Sequence, residues 1–112
     1  PDASYITNIL DKVDSPYLSG LLDTGHTHCF TDSNIPVDKW VEGFGKHLSY
    51  VHLHANNGVL DEHIAFTDGN QDFSRFFESL EALLEYPLMI IEVKTREAFD
   101  RSVIGLQELG IL

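Results

Sequence analysis

With 112 residues the chain is expected to form one domain, and 43% hydrophobic residues suffice for a packed core and are too many for a disordered chain. The formal charge is −11, from 18 acidic against 7 basic residues. The basic ones (Lys12, Lys39, Lys46, Arg75, Lys94, Arg96 and Arg101) are scattered, which argues against nucleic acid or an anionic membrane as partner. No apolar run approaches the roughly 18 residues of a membrane-spanning helix. There is no signal-peptide pattern, and Pro1 in place of Met reads as a trimmed or excised chain. The one cysteine, Cys29, excludes an internal disulfide and fits a reducing, cytoplasmic setting. Following His28, it is either a small half-buried loop residue or a metal ligand.

In chain order, Ile6, Ile9, Leu10 and Val13 repeat at helical spacing and predict an amphipathic helix over 3–13, ended by Asp14-Ser15-Pro16. Residues 18–23 read as a short buried strand, and 24–35 as a polar loop. Pro36 suits a helical first turn, and Val37, Trp40, Val41, Phe44 and Leu48 give the next helix its stripe. Strand 49–54 follows, with Val51 and Leu53 alternating with His52 and His54, so one face carries both histidines. Residues 55–71 form a long loop, a length usually reserved for function. Asp72 is placed to cap a helix over 73–85 that carries Phe73, Phe76, Phe77, Leu80, Leu83 and Leu84, and Pro87 breaks it. Residues 88–93 are apolar throughout, as in a strand covered on both faces. Thr95 caps a last helix to about Leu109, with Phe99, Val103 and Leu106 on one side. Strands alternating with helices imply a parallel sheet, here of three strands and four helices.

Three apolar runs end in a group that binds borderline divalent cations: Asp23, His52 and Glu92. If the runs are parallel strands, these groups stand near their carboxyl ends, where α/β sheets place their sites. Asp61 and His63 flank Glu62 in the long loop. Each alone reads more often as an ordinary structural or solvated polar residue. Lys94 and Arg96, for example, could pair with Glu92 at the surface for little energy.

The segments Leu-Leu-Asp-Thr-Gly-His-Thr-His (21–28), Val-His-Leu-His (51–54), Asp-Glu-His (61–63), Asp-Gly-Asn-Gln-Asp-Phe (68–73) and Ile-Ile-Glu-Val-Lys (90–94) together resemble the C-terminal portion of the xylose isomerase-like TIM-barrel superfamily. That superfamily includes sugar phosphate isomerases and epimerases and the endonuclease IV type of AP endonuclease. The resemblance covers nearly the whole chain and implies a partial TIM barrel, an α/β fold whose strands resemble the sixth to eighth of a (β/α)8 barrel.

The resemblance further implies one divalent cation (manganese, zinc or magnesium) held by Asp23, His52 and Glu92, with a fourth ligand, a Glu, on a strand preceding this chain. His26, Asp61 and His63 match a further metal site of the endonuclease members; in epimerase members His26 and His63 contact substrate hydroxyls instead. Glu92 is then a ligand and one of two proton-transferring carboxylates acting on a sugar or sugar phosphate. Family members usually carry Asp where this chain has Ala55, and a whole barrel takes roughly 250 residues. The implied activity is metal-dependent sugar isomerisation or epimerisation. The alternatives are an AP endonuclease-like fragment and a non-catalytic metal-binding or self-associating module. The open sheet edges are expected to be covered by a homo-oligomer or by a separate N-terminal barrel segment.

Overall fold

A computed structural model describes residues 2–31 and 34–112. The order is α1 (Ser4–Val13), β1 (Gly20–Asp23), α2 (His26–Cys29), α3 (Val37–Phe44), a 3-10 turn (Gly45–His47), β2 (Leu48–Leu53), α4 (Phe76–Glu81), β3 (Leu88–Ile91) and α5 (Arg96–Glu108). The three strands form one parallel sheet in the order β1-β2-β3. The expected α/β architecture is therefore present, and among the described residues no helix is long and apolar enough to cross a membrane.

Alternation along each strand sorts the side chains onto two faces. Leu22, Val51 and Leu53 point into a core completed by Val37, Trp40, Val41 and Phe44 of α3, by Phe76, Phe77 and Leu80 of α4, and by Leu106 of α5. On the opposite face the register aligns Leu21 with Tyr50 and Tyr50 with Leu88, then Asp23 with His52 and His52 with Ile90. The expectation that 88–93 is covered on both faces is not met. Leu88 and Ile90 are exposed, as are Leu21 and Tyr50, because the helices pack on one side only.

Several other elements differ from the sequence reading. The 24–35 loop contains the short helix α2, and its Asp32 and Ser33 lie outside the described residues. α3 stops at Phe44, where Gly45 takes a positive φ of 53°, so Leu48 starts β2 rather than ending the helix. The helix expected over 73–85 shrinks to Phe76–Glu81. Asp72 accepts from the Ser74 amide in a turn before it, and Leu84 is 97% exposed. On α1 only Leu10 of the expected stripe is buried; Ile6, Ile9 and Val13 are uncovered.

α5 buries Ala98, Ser102, Gly105 and Leu106, leaving Val103 half-buried and Phe99 exposed. Its inner face is small so that the helix can approach Phe66 and Thr67, which a Cβ on Gly105 would strike. Asp72 apart, the helix ends behave as read: Thr95 Oγ1 accepts from the Ala98 amide at 3.1 Å, and Asp14 ends α1 in the left-handed region at φ 46°.

The 55–71 loop lacks helix and strand yet is tied down. Ala55 exchanges two backbone hydrogen bonds with Ile64, at 2.9 and 3.1 Å, and Gln71 Nε2 donates to the Thr24 carbonyl at 2.7 Å. Gly69 lies so close to Asn56 that an added Cβ would overlap its carbonyl oxygen.

Leu53→Ala should lower unfolding free energy by about 2–5 kcal/mol, while Leu84→Ala should change it by under about 0.5 kcal/mol. Gly69→Ala should cost about 1–3 kcal/mol through backbone displacement. Denaturant titrations followed by circular dichroism measure all three. Equal effects of the two leucine substitutions would contradict the core described above.

Candidate metal centre

The parallel ladder delivers Asp23, His52 and Glu92 to the carboxyl-terminal rim of the sheet. Thr24 locks this corner. It is fully buried, its amide donates to the His52 carbonyl at 3.0 Å, and its hydroxyl donates to the His54 carbonyl at 2.6 Å. The Glu92 amide continues the ladder to the Leu53 carbonyl at 3.1 Å. His52 Nδ1 then lies 3.0 Å from Glu92 Oε2 and 3.7 Å from Asp23 Oδ2. The three share one face, although the group with both acids whose donor atoms all lie within 4.8 Å of one another is Asp23, His54 and Glu92.

The second expected set also meets. Asp61 Oδ2 stands between His63 Nε2 at 2.9 Å and His26 Nε2 at 3.2 Å. His63 holds a left-handed backbone, φ 53°, uncommon for a side chain with a Cβ. Its Nδ1 donates to the Glu92 carbonyl at 3.0 Å, which turns Nε2 toward Asp61. Glu62, between them, instead accepts from the Asn57 amide at 2.7 Å. His26 joins the two sets, because its Nδ1 lies 3.4 Å from Asp23 Oδ2.

His54 is the residue the sequence reading passed over. It is fully buried, its Nε2 is 2.7 Å from Asp23 Oδ1, and its ring stacks on His63 with centroids 3.9 Å apart. The period-two alternation that put both histidines on one face was the available signal. Among the described residues two groups bring their donor atoms within 4.8 Å of one another: Asp23, His54 and Glu92, and His26, His54, Asp61 and His63. Cys29 belongs to neither; it is half-buried at the end of α2. Lys94 Nζ donates to the Asp61 carbonyl at 3.1 Å, and Arg96 pairs with Asp100 at 2.8 Å.

Electrostatics favour the ionised forms of Asp23 and Asp61. Burial alone would push the Asp23 carboxyl up. Hydrogen bonds from His54 and from the His26 amide, with the charges of both rings, outweigh it and hold the group below the usual carboxylate range. Asp61 behaves likewise: burial raises it, and His63 and His26 bring it down. Burial opposes protonation of His63, but its bonds to the Glu92 carbonyl and Asp61 prevail and push its pKa up. Burial, followed by the Asp61 charge, pushes the Cys29 thiol up, away from the thiolate a metal would need.

The residues fit a borderline divalent cation. Carboxylate oxygens and imidazole nitrogens are the donors such ions take, and Asp23 Oδ2 faces the ring nitrogens of His26 and His52. Asp23 and Glu92, with an imidazole from His52 or His54, could hold the ion.

Comparisons with known proteins agree with this architecture. The model of the xylose isomerase-like TIM-barrel family matches residues 2–109. Two proteins of Methanocaldococcus jannaschii align over nearly the whole chain. Uncharacterized protein MJ1614 is 28% identical over 97% of this chain and 39% of its own length, and uncharacterized protein MJ1311 is 31% identical over 96% and 36%. The crystal structure of a D-tagatose 3-epimerase-like protein superposes with a TM-score of 0.79 and 28% identity, over 98% of this chain and 41% of that one. The chain thus spans about two-fifths of the length of the relatives it matches. With parallel strands, helices on one face and a family match over almost every residue, this chain belongs to the xylose isomerase-like TIM-barrel family.

Proposed function

We propose that this chain carries part of the active-site rim of a metal-dependent sugar or sugar phosphate isomerase or epimerase. The observation that carries this reading is that Asp23, His52 and Glu92 stand at the carboxyl ends of three adjacent parallel strands, with His52 Nδ1 within 3.7 Å of a carboxylate oxygen of each acid. The likeness to a D-tagatose 3-epimerase-like protein supports a small sugar as the substrate class.

When bound, a divalent cation supplies polarisation of a sugar carbonyl and its neighbouring hydroxyl, which acidifies the proton on the carbon beside the carbonyl. Asp23 and His52 hold their donor atoms at the rim. Glu92 Oε removes the proton, and the C–H electron pair moves toward the carbonyl. Glu92 is half-exposed at the rim, so a substrate can reach it. His26 and His63 face sugar hydroxyls, with Asp61 orienting both rings. The carboxylate that returns the proton, and the remaining strands, come from another segment or another copy. The chain alone should therefore turn over poorly, whereas proton abstraction needs only Glu92 and the cation.

A second reading draws on the four-donor group of His26, His54, Asp61 and His63, which suits a further cation in a phosphoester-cleaving relative. The net charge of −11 disfavours a DNA backbone as its substrate.

In D₂O, the Mn²⁺-loaded protein should exchange the proton beside the carbonyl of D-tagatose, D-fructose or D-ribulose, read by proton NMR. Glu92→Gln should slow this exchange by about 10²–10⁴-fold. Unchanged exchange in the variant would remove Glu92 from the chemistry. Metal-dependent nicking of an abasic duplex, without sugar exchange, would favour the second reading.

A further inference from the structure

Two histidines on one strand face compete for the role of imidazole ligand, and the hydrogen-bond geometry separates them. We propose that His54 is a positioning residue that orients Asp23 for the cation and is not itself a ligand; this rests on the metal-centre reading above.

Asp23 is held asymmetrically. Its Oδ1 accepts from His54 Nε2 at 2.7 Å and from the His26 amide at 3.0 Å. Its Oδ2 faces the ring nitrogens of His26 and His52, at 3.4 and 3.7 Å. A carboxylate with one oxygen committed to two donors has a fixed rotation about χ2 and offers the other oxygen to the rim. Orientation of a metal-binding carboxylate by a neighbouring donor commonly accounts for a 10–100-fold difference in affinity.

The proton on His54 has one sensible location. Nδ1 is buried and has no partner among the described residues. A proton there would lack an acceptor, and it would leave Nε2 aiming a lone pair at a carboxylate oxygen 2.7 Å away. With Nδ1 left without an acceptor, Nε2 is the nitrogen that donates to Asp23. Nδ1 then keeps its lone pair, but that nitrogen is buried beside Gly25.

The ring is also fixed in place. The Thr24 hydroxyl binds both the amide and the carbonyl of His54, and His63 stacks on the ring. A Cβ on Gly25 would overlap the ring, so a glycine is what lets it sit there. His52, by contrast, has a side chain 27% exposed and Nδ1 at the rim.

The test uses ¹⁵N-labelled wild-type protein, free and zinc-loaded, with long-range ¹H–¹⁵N correlations reporting the state of each ring nitrogen. His54 should keep the Nε2–H tautomer in both states, while a His52 nitrogen moves to the metal-bound position. Calorimetry with Zn²⁺ should give His54→Leu a 10–100-fold weaker affinity. His54→Gln, which restores an N–H near the Nε2 position, should recover most of that loss. Zinc bound to a His54 nitrogen, a His54→Leu protein that binds as tightly as wild type, or a folded His54→Gln protein as weak as His54→Leu would each overturn the positioning role while leaving the metal centre standing. A wild-type protein that takes up no zinc would overturn the metal-centre reading and this role with it. If His54→Leu does not fold, the spectra of the unaltered chain still decide the assignment.

Discussion

The register of the parallel ladder is the constraint on which everything else depends. Asp23 pairs with His52 across β1 and β2, and the amide of Glu92 reaches the Leu53 carbonyl beyond β3. Because side chains alternate, a slip of one residue in any strand would send its polar group into the core and a core residue to the rim. The cost of burying an unpaired carboxylate or losing Val51 or Leu53 from the interior makes the register strongly preferred. Thr24 reinforces it, since its amide and hydroxyl bridge the ends of β1 and β2 without reaching the rim. The fold and the candidate site are in this sense one feature: the forces that bury Leu22, Val51 and Leu53 also bring out Asp23, His52 and Glu92.

The same alternation explains what the chain leaves open. Helices cover one face of the sheet, and the other presents Leu21, Tyr50, Leu88 and Ile90 below the candidate site. Most of the stripe on α1 is likewise uncovered. In a closed (β/α)8 barrel the inward side chains pack in layers beneath the active site, and adjacent helices pack side by side. A chain spanning about two-fifths of its relatives supplies three strands without the side chains that would fill the layers below. The exposed apolar surface is therefore what a partial barrel should show.

Elements with strong periodicity were legible in the sequence. The three strands follow from short apolar runs bounded by turns, and the Thr95 and Asp14 caps from residue chemistry. Failures occurred where tertiary packing overrode local pattern. α5 was assigned an apolar stripe through Phe99 and Val103, but close approach to Phe66 selects the small face of Ala98, Ser102 and Gly105. The helix over 73–85 was read from its phenylalanines, whereas those rings stack edge to face across a turn and a shorter helix. An all-apolar β3 reads as doubly covered, but the same composition suits the interior of an unfinished barrel. At the site, family resemblance pointed to His52 and passed over His54. Only coordinates could reveal that Asp23 has one oxygen committed to His54 and the other turned to the rim.

The central claim is that one carboxylate, one imidazole and a second carboxylate on neighbouring strands grip a common ion. A zinc-soaked crystal measured at the zinc absorption edge tests it most directly. The account predicts a single strong anomalous peak with Asp23 Oδ2, His52 Nδ1 and a Glu92 oxygen each about 2.0–2.2 Å away. Zinc located elsewhere on the surface, with the side chains of residues 23, 52 and 92 unliganded, would contradict it.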